Sequence, residues 1–269
     1  MTIKYALLLV LTFLFLNQQQ AQENYSHHFT SHDGIKIAFT DEGSGQTIVL
    51  LHGFINSGSS WNKSSVKKEL LKSGYRVIVP DLRGNGNSDQ PENGEAYQNN
   101  AEVKDLVALA DYLKLEHYWA IGYSRGSIVL AKLLTLDDRI QKAIIGGMGA
   151  DFTNADWDRR LAFADAFSGR AELTELTRGA VNYATSIGAN LKILGLQQDY
   201  QPVTSPEELS NISIPVLIIC GDVDTDNGDL KELQKLIPKS NLKIVTGDHN
   251  NTYKQENFAA ASLEFFNSN

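Results

Sequence analysis

The stretch Ala120-Ile121-Gly122-Tyr123-Ser124-Arg125-Gly126-Ser127 sets a serine between two glycines where an apolar run gives way to a helical pattern. A plain strand-to-helix connection needs one flexible residue. Glycines two before and two after Ser124 fit a tighter turn, one that strains its central residue and forces neighbouring segments together. Such a turn lifts the hydroxyl clear of a sheet and places it at a helix N-terminus, where backbone N–H groups favour developing negative charge. The chemistry this serves is nucleophilic attack by an activated hydroxyl, and a serine needs a neighbouring base to remove its proton. The plainer role for the same side chain is a helix N-cap.

The elements that must position the serine are short apolar runs alternating with helical patterns. The segment around His32-Asp33-Gly34 reads as a hairpin joining two strands. Further strands are expected in Thr47–Leu51, then in YRVIVP, YWAIGY, IQKAIIGG, PVLIICG and LKIVTG. Helices are expected between them, including NAEVKDLVALADYLKLE with Val103, Leu106, Leu109 and Leu113 on one face. This alternation predicts an α/β fold, a mostly parallel central sheet with helices on both faces. Between Gly149 and Asn211 the rhythm breaks into helical patterns rich in aromatics, such as Trp157, Phe163, Phe167, Tyr183 and Tyr200. The reading is a core of residues 23–148 and 212–269 with an inserted helical cap at 149–211.

Four motifs in this order resemble the α/β-hydrolase fold family, over about residues 27–266: LLHGF, the glycine-rich DLRGNGNSD, the serine between glycines, and the pair GDVD and GDHNN. The resemblance implies that Ser124 is the nucleophile, His249 its base and Asp224 the acid that orients the histidine, since serine, acid, histidine is the family order. It also implies an oxyanion hole made by the backbone N–H groups of Phe54 and Arg125. Asp222 competes with Asp224, because both flank Val223, and the family's Gly-x-x-Asp spacing from Gly221 favours Asp224; Asp151 is an outside candidate. The family usually has glycine before the histidine, whereas here Asp248 precedes it and could perturb its pKa.

Other residues have structural roles as their first reading. Arg83 and Asp81 read as ion-pair residues of the glycine-rich loop, His52 as a local hydrogen-bonding residue, and the Arg125 side chain as one half of an ion pair. Asp/Glu outnumber Lys/Arg by 32 to 24 and no basic run appears, which argues against nucleic acid as a partner. His27, His28, His32 and His117 lack metal-ligand spacing, so no metal and no cofactor are expected. Cys220, the only cysteine, excludes an intrachain disulfide and reads as a small buried thiol.

At the start of the chain, Lys4 precedes an apolar run from Tyr5 to Leu16 and a polar stretch ending near Ala21. That is the plan of a cleaved signal peptide, residues 1–22, and it predicts a secreted or periplasmic protein without stable membrane insertion; an uncleaved anchor is the alternative. The expected activity is serine hydrolysis of an ester-like or small acyl substrate by a monomer or loose dimer. The open alternatives are a slow-turnover, receptor-like relative, a C–C hydrolase, a small-peptide aminopeptidase and a cofactor-free haloperoxidase-like enzyme. A serine at the elbow disfavours the dehalogenase and epoxide hydrolase branches of the family, which carry aspartate there.

Overall fold

The computed structural model describes residues 27–268. The strands are β1 His27–Thr30, β2 Lys36–Glu42, β3 Thr47–Leu51, β4 Arg76–Pro80, β5 Tyr118–Tyr123, β6 Ile140–Gly146, β7 Val216–Gly221 and β8 Ser240–Val245. They form one 8-stranded sheet in the order β1-β2-β4-β3-β5-β6-β7-β8. β2 is antiparallel to both its neighbours, and every other pairing is parallel. The helices are α1 Ser65–Lys72, α2 Ala101–Tyr112, α3 Arg125–Leu133, α4 Asp158–Phe167, α5 Glu175–Ser186, α6 Leu191–Asp199, α7 Pro206–Ser210, α8 Leu230–Leu236 and α9 Glu256–Asn267. The expected α/β architecture is present, and the hairpin at His32-Asp33-Gly34 joins β1 to β2.

The apolar strands read as continuous runs because both faces of the sheet are covered. Successive side chains alternate between faces. In β3, Val49 and Leu51 join the core beneath α2, α3 and α8, while Ile48 and Leu50 join the core beneath α1 and α9. Val103, Leu106 and Leu109 bury the predicted face of α2, and Leu113, just past its end, packs partly against the same core. Each such side chain contributes roughly 1.5–3 kcal/mol on full burial.

Residues 149–211 contain a short 3-10 turn, Ala150–Thr153, and helices α4 to α7, and no strand. Ala166, Phe167, Val181, Ala184 and Leu194 make a small separate core there, against which Phe54 and Ile55 pack from the loop after β3. The outer parts of the segment behave differently, since Phe152 and Leu209 belong to the main core. Sequence punctuation fixes the last helix: Ser205 and Glu208 form a capping box around Pro206, whose missing N–H suits a helix start. No helix among the described residues is long and apolar enough to cross a membrane, and the run from Tyr5 to Leu16 lies outside them.

Candidate active site

The chain crosses from β3 to β4 on one side of the sheet and then returns to β5 on the other side of β3. This places the C-terminal ends of β3 and β5 side by side at a topological switch point, where open α/β sheets leave a crevice. Ser124 follows β5 directly, with φ 53° and ψ −124°. That conformation costs on the order of 1–3 kcal/mol for a non-glycine residue and persists only where the surroundings hold it. The main chain does so: the Ser124 N–H donates to Gly146 O at 2.8 Å, and Ser127 N–H donates to Ser124 O at 2.8 Å. Both flanking glycines are there for space. A Cβ on Gly122 would lie 2.4 Å from Gly126 O, and a Cβ on Gly126 would lie 2.3 Å from Leu51 O.

His249, in the loop after β8, brings Nε2 to 2.8 Å from Ser124 Oγ and Nδ1 to 2.9 Å from Asp224 Oδ2. A carboxylate only accepts, so Nδ1 carries the hydrogen and the Nε2 lone pair faces the serine hydroxyl. The Asp224 side chain is 1% exposed and that of His249 25%. Asp222 points elsewhere: it accepts the Gly247 N–H at 2.9 Å, and its own N–H donates to Val245 O, tying the ends of β7 and β8 together. Asp151 lies against Gly228 in a separate surface cleft. Asp248 turns its carboxylate into its own loop, accepting from the backbones of Asn250 and Asn251 and from the Asn251 amide, which holds its pKa below the usual carboxylate value.

Two neighbours of this relay were not singled out from the sequence. Tyr123 donates its hydroxyl to His249 O at 2.8 Å, and its ring lies 5.6 Å from the imidazole, so the last residue of β5 anchors the histidine loop. The buried Asn227 places its side-chain amide 3.2 Å from His249 Nδ1. Only the position of Tyr123, next to the serine at a strand end, was a usable signal. Asn227 depends on how the loop after β7 folds back.

The candidate oxyanion groups come from two loops that meet over Ser124. Phe54 follows β3, and Arg125 opens α3, where a first-position N–H has no acceptor one turn earlier. Gly53, Phe54, Ser124 and Arg125 line one cavity of about 490 Å³. His52 fixes the first loop. Leu82 N–H donates to its Nε2 at 3.1 Å, so Nδ1 carries the hydrogen and donates to Gly53 O at 2.9 Å. Complete burial keeps this imidazole neutral by holding its pKa below the usual value. The Arg125 side chain runs away from the site into a buried pair with Glu102 and donates to Gln197 O at 3.1 Å.

Of the two residues read as ion-pair residues of the glycine-rich loop, Arg83 forms ion pairs and Asp81 forms none among the described residues. Arg83 binds Asp105 on α2 and Asp33 in the β1–β2 hairpin, whereas Asp81 accepts the backbone N–H groups of Gly58 and Asn87. Loop carboxylates close in sequence find backbone donors first, and the guanidinium reaches across the fold. His32 comes within 4.8 Å of Asp33 and Asp105, but both carboxylates already hold Arg83.

Cys220 is buried and its thiol leans on the Asp224 carbonyl at 3.5 Å. Burial, reinforced by the negative charge of Asp224, pushes the thiol up to about 12. At neutral pH the thiolate is therefore a trace species. Iodoacetamide is expected to leave Cys220 unmodified in native protein and to alkylate it fully in denaturant, as read by intact mass. Rapid native labelling would contradict this burial.

Residues 46–165 match the α/β hydrolase fold family. A Bacillus subtilis protein named as a 2-succinyl-6-hydroxy-2,4-cyclohexadiene-1-carboxylate synthase is 30% identical over 249 residues, spanning 81% of this chain and 89% of that one. A Synechocystis protein named as a non-heme chloroperoxidase is 31% identical over 246 residues, spanning 79% of this chain and 87% of that one. The solved structure of an esterase from Exiguobacterium antarcticum superposes with a TM-score of 0.73 at 25% identity, covering 90% of this chain and 99% of that one. With relatives matched over most of their length and the same sheet beneath a serine elbow, the chain belongs to the α/β-hydrolase fold family.

Proposed function

We propose that this protein is a serine hydrolase that cleaves an ester-like or small acyl substrate through an acyl-enzyme on Ser124. The observation that carries the reading is the continuous hydrogen-bonded line from Ser124 Oγ through His249 to Asp224, at 2.8 and 2.9 Å. In this mechanism His249 Nε2 takes the hydroxyl proton as Oγ bonds to the substrate carbonyl carbon. The carbonyl oxygen becomes an oxyanion facing the N–H groups of Phe54 and Arg125. Collapse of that intermediate breaks the bond to the leaving group, which receives the proton from the imidazolium. Water then enters, gives a proton to Nε2 and attacks the acyl carbon, and the Ser124–acyl bond breaks as the proton returns to Oγ. Asp224 holds the ring and stabilises the imidazolium without itself taking the proton.

The relatives' names span a synthase, a chloroperoxidase and an esterase. They support the shared scaffold, and the serine line favours acyl transfer. The test is hydrolysis of short- and medium-chain p-nitrophenyl esters together with labelling by a fluorophosphonate. Turnover with a covalent adduct on Ser124 is expected. A folded protein that forms no adduct, or that retains a ligand tightly with only slow single turnover, would overturn the reading in favour of a binding role.

We further propose, from the charged, apolar and polar order of residues 1–22, that the chain is exported and trimmed near residue 22. Sequencing the N-terminus of protein recovered outside the cytoplasm is expected to begin at Gln22 or Glu23. A start at Met1 would exclude cleavage.

A further inference from the structure

Among the described residues, the cavity over Ser124 is lined by Arg125, Arg159, Arg160 and Lys254 and by no aspartate or glutamate. This is notable in a chain whose acids outnumber its bases by 32 to 24. Two of these cations are partly accounted for. Arg125 is neutralised by the buried Glu102. Arg159 lies 5.1 Å over the Phe163 ring and reaches Asp226 only at 3.8 Å, through a carboxylate side chain that is 61% exposed.

Arg160 is different. Its Nη1 donates to Gln198 O at 3.0 Å and Asp199 O at 3.2 Å, and its Nη2 donates to Ala155 O. Main-chain carbonyls therefore fix the guanidinium without cancelling its charge, and Asp199 and Asp156 act on it only at longer range. Its Nε–H is buried and, among the described residues, has no acceptor. Nη2 has two hydrogens and, among the described residues, a single acceptor, so this guanidinium keeps unpaired donors on both Nε and Nη2. Two more buried donor atoms without an acceptor among the described residues belong to residues that line the same cavity: Gln201 Nε2 and Trp61 Nε1. Cations without acids and donors without acceptors describe a place for an anion with more than one oxygen.

We propose that the natural substrate is an ester that also carries a free carboxylate, held by Arg160 with help from Arg159 and Gln201 while Ser124 attacks the ester carbonyl. The inference rests on the serine hydrolase reading and deepens it. A flat carboxylate is the anion that pairs best with a guanidinium lacking a carboxylate of its own, because its two oxygens can take two parallel N–H donors. The carboxylate undergoes no chemistry; it selects and orients.

The test compares mono-p-nitrophenyl adipate with its neutral methyl diester at fixed ionic strength. The anionic ester is expected to have the higher kcat/KM by at least about 10-fold, with the preference shrinking as salt is raised. Arg160→Gln is expected to cut that preference by about 10- to 100-fold. Free adipate should bind, by calorimetry, at least about 10-fold more tightly than hexanoate. Should Arg160→Gln fail to fold, Arg159→Gln and the wild-type comparisons still decide. Equal or better use of the neutral diester overturns the proposal, and so does binding of inorganic phosphate without binding of adipate. Absence of all ester cleavage and of a fluorophosphonate adduct sinks the serine hydrolase reading instead, and adipate calorimetry then judges the anion site alone.

Discussion

Ser124→Ala is expected to lower kcat for a p-nitrophenyl ester by at least about 10,000-fold and to abolish fluorophosphonate labelling, because the nucleophile and its partners act as one unit. Asp224→Asn should cost on the order of 1,000- to 10,000-fold, since an amide can donate to Nδ1 and so favour the wrong tautomer of His249. Asp222→Asn, two residues away, should change kcat by less than about 3-fold, because Asp222 holds the Gly247 N–H and not the histidine. The contrast between the two aspartates is the sharp part of this prediction. If Asp222→Asn were the inactive variant, the acid would be misassigned.

A companion measurement separates chemistry from folding. Ser124 sits at φ 53°, a conformation that alanine tolerates no better than serine and that glycine adopts freely. Ser124→Gly should therefore be inactive yet more stable than Ser124→Ala, by about 1 kcal/mol in urea unfolding. Equal stability of the two would mean that the elbow holds no strain. The activity would then rest on hydroxyl placement alone.

How much of this could be read beforehand follows the range of each interaction. The strands, the α2 face of Val103, Leu106 and Leu109, and the glycines around Ser124 are local patterns, and the structure repeats them. The partners of Arg83 were missed because Asp33 lies 50 residues before it and Asp105 22 residues after, distances at which pattern has no hold. Asn227 was missed for a related reason: its approach to His249 depends on how two loops, after β7 and after β8, fold toward each other. Arg159 and Arg160 are adjacent on α4 and so point about 100° apart. Neither the cavity they line nor the main-chain carbonyls that hold Arg160 are visible until α4 is placed against α6 and the loop after β3.

Arg83→Met is expected to destabilise the protein by about 3–5 kcal/mol, the usual result of stripping a buried carboxylate of its cation. The Arg83 side chain is 0% exposed and that of Asp105 3%, and the two share paired bonds of 2.7 and 2.6 Å. Burial pushes the Asp105 carboxyl up, and Arg83 opposes that shift in the native protein. Without Arg83 the opposition is gone, so the folded protein holds its proton where the unfolded chain releases it. Stability of Arg83→Met should then be greatest at low pH and fall as pH rises from about 4 through the raised value, because in that window the native state binds more protons. Urea unfolding at a series of pH values reads this directly, and a loss that does not vary with pH would contradict it. Adding Asp105→Leu should recover most of the stability by removing the orphaned charge. The effect should also reach the active site. Arg83 O accepts the Gln197 amide at 2.9 Å, and next to Arg83 the Leu82 N–H holds His52 beneath the Phe54 loop. The ion pair therefore sits on a loop tied both to α6, whose Gln198 lines the cavity, and to His52 before the Phe54 loop.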